Sequence, residues 1–394
     1  MKQKIHFITV GIFLSLIFGF AIAFLILPDR GFSEQENRSL RTLPRLTVQG
    51  LSSGVYASEI NDYFADQFPL RDALVTWKSG AELAWGKGEN DGILLGYDGQ
   101  LAKRLFDISR IDGSVAYDMD APDTAHLEAA AQGILNASSA LEQKAIPFCV
   151  LLTGRTLDVC ASAFAYPTEH SDRILATLER CLGDTGVYSN SIERMRQRYE
   201  AGEAVYYKTD HHWTTLGAYY AYTDIMRQFG LEGEILPKEA FERIEASKSF
   251  YGSFYSAGGM RFVAPDTVEI WRRGNEDAFT VIADGKELGG FYQWEHLKGK
   301  DQYALFLDGV HDVVTVRKST SENRPRLVIF KDSFANSVAP FLAQHFDLVL
   351  LNLSSTRTDY TDVSRYCEQY GADAALVVYT LGNVIETEKM NRLR

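Results

Sequence analysis

The segment Arg326-Leu327-Val328-Ile329-Phe330-Lys331-Asp332-Ser333-Phe334-Ala335-Asn336 decides the fold. Its first five residues, four of them apolar, read as a strand, and Phe334 to His345 reads as a helix. Downstream, Leu348-Val349-Leu350-Leu351 is a second strand, Tyr360 to Tyr370 a helix and Ala375-Leu376-Val377-Val378-Tyr379 a third strand. Upstream, the Ala- and Leu-rich stretch His126 to Lys144 is helical and leads into the strand Ile146 to Leu152. Ser171 to Leu182 is a helix started by Ser171 and stopped by Gly183. Ala204 to Tyr207 is a short strand candidate, and Trp213 to Phe229 a helix ending at Gly230. Apolar strands separated by helices indicate βα units, hence an α/β fold with a mostly parallel sheet covered on both faces. Residues from about 247 to 325 differ. Thr267 to Trp271 and Val313 to Val316 alternate between Gly-rich turns, which reads as a β-rich insertion.

At 394 residues the chain suggests one large domain with insertions or two moderate ones. Hydrophobic residues make up 46% and charged residues 23%, a globular balance that argues against a disordered chain, a coiled coil or a multi-span transporter. The net charge of −12 argues against non-specific nucleic-acid binding, which needs clustered Lys and Arg. Neutral or weakly charged substrates, sugars included, remain allowed. Phe7 to Leu27 is an uncharged run of 21 residues, long enough to cross a bilayer. Lys2 and Lys4 before it favour a cytoplasmic N-terminus and an exported remainder. A cleaved signal peptide is the alternative, with Ala21-Ile22-Ala23 as its cleavage site, although the apolar run continues through Leu27. The reading is therefore an anchor or signal segment over 1–27, a stalk and helical extension over 28–105, and a catalytic domain over 106–394 that carries the insertion. Four cysteines, Cys149, Cys160, Cys181 and Cys367, match no metal-binding spacing. Cys149 lies in an apolar run and reads as a buried thiol, while export would permit a Cys160–Cys181 bridge.

Ser333 stands between a buried strand and a helix, at the carboxyl end of a parallel strand where sites in open α/β sheets form. Free N–H groups at a helix start can stabilise an oxyanion there. A serine hydroxyl needs a base to become a nucleophile; alternatively, Ser333 is a plain helix cap. Tyr207-Lys208-Thr209-Asp210-His211-His212-Trp213-Thr214 supplies the base. In an extended segment Asp210 and His212 face the same side and His211 points away. A carboxylate on one imidazole nitrogen fixes the tautomer and frees the other nitrogen. Asp210 could also cap the helix that starts near Trp213. A metal site is the rival reading, but it needs three spaced ligands and adjacent histidines in an extended segment point apart. No metal and no cofactor is expected.

Thr209-Asp210-His211-His212-Trp213-Thr214 resembles the signature of the DHHW protein family, itself similar to the alginate O-acetylation proteins of the SGNH-hydrolase-like superfamily. Their pattern is Asp-x-His-Trp-Thr, followed far downstream by a strand-end serine, and Asp210, His212, Trp213 and Ser333 match it. The resemblance spans most of the exported part, from Glu36-Asn37-Arg38 to the last strand. It implies a three-layer αβα fold and a triad in the order Asp, His, Ser. Lys331-Asp332-Ser333 departs from the Gly-Asp-Ser of ordinary SGNH hydrolases, with Lys in the glycine position. The resemblance places Arg357 and Tyr379 at the site's edge as substrate-binding residues. Alternatively Arg357 pairs with Asp359 or Asp362, and Tyr379 is core. Trp213 is expected at the site as well, and Gly252 in Phe250-Tyr251-Gly252-Ser253-Phe254 would let backbone approach the substrate. Tyr219, Tyr220 and Tyr222 read as stacking residues for sugar rings or as packing. What the resemblance implies is an extracytoplasmic O-acetyltransferase that modifies a polysaccharide, served by a membrane-bound O-acyltransferase partner. An acetyl esterase with the same triad and a non-catalytic envelope carbohydrate-binding protein are the alternatives.

Overall fold

The computed structural model describes residues 2–33, 38–105, 107–111, 114–118, 124–166, 169–319 and 323–394. Glu36 and Asn37, at the start of the resemblance, lie outside the described residues. Contacts divide the chain into two units: Met1–Asn90 with Ser256–Phe262, and Asp91–Tyr255 with Val263–Arg394.

The first unit begins with α1 (Lys2–Ile26), whose 21 residues His6–Ile26 are long and apolar enough to cross a membrane or to act as a signal sequence. After a short helix over Val48–Ser53 come α2 (Val55–Asp66) and α3 (Arg71–Ala84). Arg38 donates to Asp66, whose second oxygen also accepts the Arg41 backbone N–H at 2.8 Å. That pairing, ahead of burial, holds the Asp66 carboxyl below its ordinary range.

In the second unit, α4 (Thr124–Glu142) precedes β1 (Phe148–Thr153), and α5 (Glu169–Leu182) follows it. Ser171 does not start α5. It lies inside the helix, buried, with its hydroxyl donated to Asp158. The helix α6 (Thr215–Gln228) is capped by Thr214, whose Oγ1 accepts the Gly217 N–H at 3.3 Å, and not by Asp210. Ala204 to Tyr207 forms no strand, and only an isolated bridge joins Tyr206 to Trp213. Next come the paired strands β2 (Glu242–Phe250) and β3 (Asp266–Arg272), then β4 (Phe279–Ala283), β5 (Lys286–Leu288) and β6 (Val313–Lys318). Then come β7 (Arg326–Lys331), α7 (Ala335–Leu342), β8 (Asp347–Asn352), α8 (Val363–Tyr370) and β9 (Ala374–Thr380), with a short helix over Leu381–Glu386 after it. Asp362 caps α8 and Gly371, at φ 62°, ends it, so α8 is shorter at its start than the apolar pattern suggests.

The main sheet runs β5-β4-β6-β8-β7-β9-β1. Strands β8, β7, β9 and β1 are parallel, with Val328 beside both Val349 and Ala375. Strands β6, β4 and β5 add antiparallel, through Val316↔Leu348 and Val281↔Val316. The sheet is thus mixed rather than mostly parallel. Much of the stretch expected to be a β-rich insertion is the sheet's own antiparallel flank. Its alternating pattern fits strands with unequal faces, whereas Leu327 to Phe330 are buried throughout. All four cysteines are free thiols; Cys160 and Cys181 form no bridge. Burial pushes the Cys149 thiol up to about 12.

Candidate active site

Strand β7 lies between β8 and β9, and Ser333 follows its last residue by two positions, on the turn into α7. The turn is fastened by Asp332, which is buried. Its carboxylate accepts the N–H groups of Thr380 (2.7 Å) and Phe334 (3.1 Å) and the Asn383 amide (2.9 Å). Burial raises the Asp332 carboxyl, and these donors pull against it. The Phe334 N–H is therefore spent on Asp332 rather than offered to an oxyanion. Lys331, in the glycine position of the related motif, is also buried, and its Nζ donates to Asn336 Oδ1 at 2.8 Å. Burial pushes that amine down to about 8, against the pull of Asp332 and Asp284.

Asp210 and His212 sit on the loop closed by the Tyr206–Trp213 bridge, where the Tyr207 N–H donates to the His212 carbonyl at 3.2 Å. Asp266, the first residue of β3, holds the loop's near side by accepting from the Lys208 and Thr209 N–H groups (2.8 Å each) and the Thr209 hydroxyl (2.6 Å). The segment turns instead of running extended. Asp210 Oδ1 accepts the His212 backbone N–H at 3.0 Å, a local turn that aspartate makes readily. The same oxygen accepts His212 Nδ1–H at 2.6 Å. His212 Nε2 then faces the Ser333 hydroxyl at 2.7 Å. Asp210, His212 and Ser333 thus form one hydrogen-bonded chain, reached by a turn rather than by the expected side-by-side extended geometry.

The turn also corrects the expectation for His211. Its ring does not point away; it lies 3.8 Å from the His212 ring, with Nδ1 2.7 Å from Ser253 Oγ. Burial lowers its basicity first and the neighbouring His212 second, although 43% of the side chain is exposed to water that moderates the first cause. Ligand atoms of Asp210, His211 and His212 lie within 4.8 Å of one another, a set able to hold a metal ion. An ion there would compete with Ser333 and Asp210 for the nitrogens of His212.

The Asp210 carboxyl is held far below its ordinary range. Burial acts against this, but His211, His212 and the Ser253 N–H (2.8 Å to Oδ2) overcome it. Gly252 explains how that N–H gets so close. A Cβ there would lie 2.3 Å from Asp210 Cβ and 2.4 Å from Oδ2. The glycine admits the carboxylate, not a substrate.

Three other expected site residues stand elsewhere. Trp213 is buried, donates Nε1–H to Ser337 Oγ at 2.8 Å and meets the Phe334 ring edge-on at 5.1 Å, so it braces the start of α7. Tyr379 is fully buried in β9, its hydroxyl 3.2 Å from Ser354 Oγ. Arg357 is 77% exposed, with Nε 3.6 Å from Asp312. Tyr219 and Tyr222 belong to the core, packed around Phe341. Tyr303, which no motif singles out, stacks flat on His212 at 3.7 Å and 9°. Its hydroxyl bonds Ser337 Oγ at 3.0 Å and reaches the Ser333 carbonyl at 3.4 Å. Nothing in the sequence spacing links it to the histidine.

No curated protein matches this chain. Among solved structures, a DHHW family protein from Eubacterium siraeum is 16% identical with a TM-score of 0.53, over 76% of this chain and 97% of that one. PatB1 from Bacillus cereus is 19% identical with a TM-score of 0.57, over 72% and 99% of the two chains. Its form with a sulfonyl adduct scores 0.55 over 72% and 98%, again at 19% identity. These likenesses show a shared fold. The family model for DHHW protein matches residues 156–352, half of the 394-residue chain and the half that holds Asp210, His212 and Ser333; the chain belongs to the DHHW family.

Proposed function

We propose that this protein is a serine-dependent O-acetyltransferase that modifies a polysaccharide outside the cytoplasm, fed with acetyl groups by a membrane-bound O-acyltransferase. The observation that carries the reading is the chain Asp210–His212–Ser333, with 2.6 Å and 2.7 Å between successive partners. Ser333 Oγ attacks the acyl carbonyl carbon as its proton passes to His212 Nε2, and Asp210 stabilises the imidazolium. The carbonyl electron pair moves to oxygen. When the tetrahedral adduct collapses, the donor's leaving group departs with the proton from Nε2. A sugar hydroxyl then gives its proton to Nε2 and attacks acyl-Ser333; the second collapse returns the proton to Oγ. The Ser333 N–H, with no partner among the described residues, is a backbone donor that could serve the oxyanion. α1, if retained, would keep this chemistry beside a membrane-bound donor.

The test offers the full chain in detergent an activated acetyl ester with candidate glycans. Wild type should form an acetyl adduct on Ser333 and pass it to the glycan. Ser333→Ala should lose at least about 1000-fold of the rate, as removal of a triad nucleophile does. Equal transfer by the two proteins would sink the reading. Release of free acetate with no glycan product would replace it with an esterase. PatB1, which shares the fold, is known with a sulfonyl adduct. A sulfonyl fluoride should therefore label this chain at Ser333 and leave Ser333→Ala unlabelled.

A further inference from the structure

The first unit carries a helix whose largest apolar side chains face out. On α3 the buried residue is polar, with Val75 and Leu83 half-buried. Ser79 is buried, donates to the Val75 carbonyl at 2.9 Å and accepts the Asn90 amide at 2.9 Å, and Asn90 also donates to the Gly258 carbonyl at 2.8 Å. The outward face carries Leu70, Leu74, Trp77, Ala81, Ala84 and Trp85, all exposed, at steps of three and four residues. Trp77 is 81% and Trp85 91% exposed. A surface helix in water places its apolar stripe inward. A contiguous apolar stripe facing out marks a surface that something covers.

The contacts of α1 say what covers it. Phe20 stacks on Phe68 at 5.2 Å, and Phe24 meets Tyr63 and Phe64 at 5.7 and 5.2 Å. Phe20 lies six residues before the end of α1, about 9 Å down the axis at 1.5 Å per residue. Whatever surrounds that part of α1 therefore surrounds the connection from α2 to α3, and the stripe begins at Leu70, two residues after Phe68. Indole rings settle at the headgroup level of a bilayer, and the stripe is flanked by Lys78 and Lys87, both paired with Glu82.

We propose that α3 lies in the membrane–water interface, its Leu70–Trp85 stripe facing lipid, so that the first unit is a foot set into the bilayer rather than a stalk above it. The proposal rests on α1 being retained as an anchor.

The test uses the full chain in phosphatidylcholine/phosphatidylglycerol nanodiscs, with and without phosphatidylcholine brominated near the headgroup end of its chains. Two of the five tryptophans lie on the stripe. Brominated lipid should lower total tryptophan emission by up to about two-fifths in wild type. It should lower that of Trp77→Phe/Trp85→Phe by almost nothing; the single variants should fall between. Both rings are exposed, so these variants keep the fold. Equal quenching in wild type and the double variant, or none in either, overturns the proposal at the stripe. That second outcome includes a stripe covered by another copy of the chain. An intact mass showing cleavage near Ala23 overturns it at the anchor.

Discussion

Gly252 has no side chain because Asp210 occupies the space where one would go. Gly252→Ala should force the Asp210 loop away from the Ser253 N–H. We expect a loss of about 1–3 kcal/mol in unfolding free energy from overpacking and about 100-fold in acyl transfer from misplacement. Wild-type values for both would show that the loop yields at no cost. Asp210→Asn keeps the shape but leaves Nδ1–H without its carboxylate. The rate should fall by the order of 10⁴-fold, with little change in KM, in steady-state transfer assays; a tenfold loss or less would mean that Asp210 does not orient His212. Asp210, His212 and Ser333 were legible in the sequence because their types are reactive and their places, a polar loop and a strand end, are where chemistry collects. Trp213 and Tyr379 were not, since an amphipathic ring serves a core and a sugar platform equally well, and burial alone separates them. Tyr303 was invisible because it meets His212 only through the fold.

Among the elements, β7 delivers both Ser333 and a buried lysine. The Lys331 amine is pushed down to about 8 from its ordinary 10.5 by burial, with Asp332 and Asp284 opposing. A base whose folded value is lowered binds its proton more weakly folded than unfolded. Stability from this group therefore rises as pH climbs from about 8 to about 10.5, and below pH 8 the cost is fully present. The window corresponds to about 3 kcal/mol. Urea titrations from pH 7.5 to 10.5 should show wild type gaining about that much relative to Lys331→Met; a constant difference would mean that Lys331 titrates as a solvated lysine. The parallel strands were readable from unbroken apolar runs such as Val328 to Phe330. From sequence the antiparallel flank reads as an insertion, because alternation along Val313 to Val316 states which faces differ, not which strand is the partner. Helix starts differ where caps decide them: Thr214 rather than Asp210 begins α6, and Asp362 starts α8 at Val363, three residues beyond Tyr360.

At the scale of the whole molecule, nothing covalent crosslinks the fold. Cys149, Cys160 and Cys367 are buried and Cys181 is half-buried, all as thiols. The native full chain should react with one equivalent of a disulfide reagent such as DTNB, at Cys181, and with four after denaturation. Its melting temperature should not move when a reductant is added; a drop of several degrees would reveal a bridge. His212 packs closely against two rings, stacked on Tyr303 at 3.7 Å and tilted against His211 at 3.8 Å. An imidazole packed this closely resists turning over, so in the proposed transfer a single nitrogen serves as both inlet and outlet for the proton. If acyl-Ser333 forms as proposed, donor and acceptor take turns in one berth, and ordered occupancy with no ternary complex is the kinetic signature to expect.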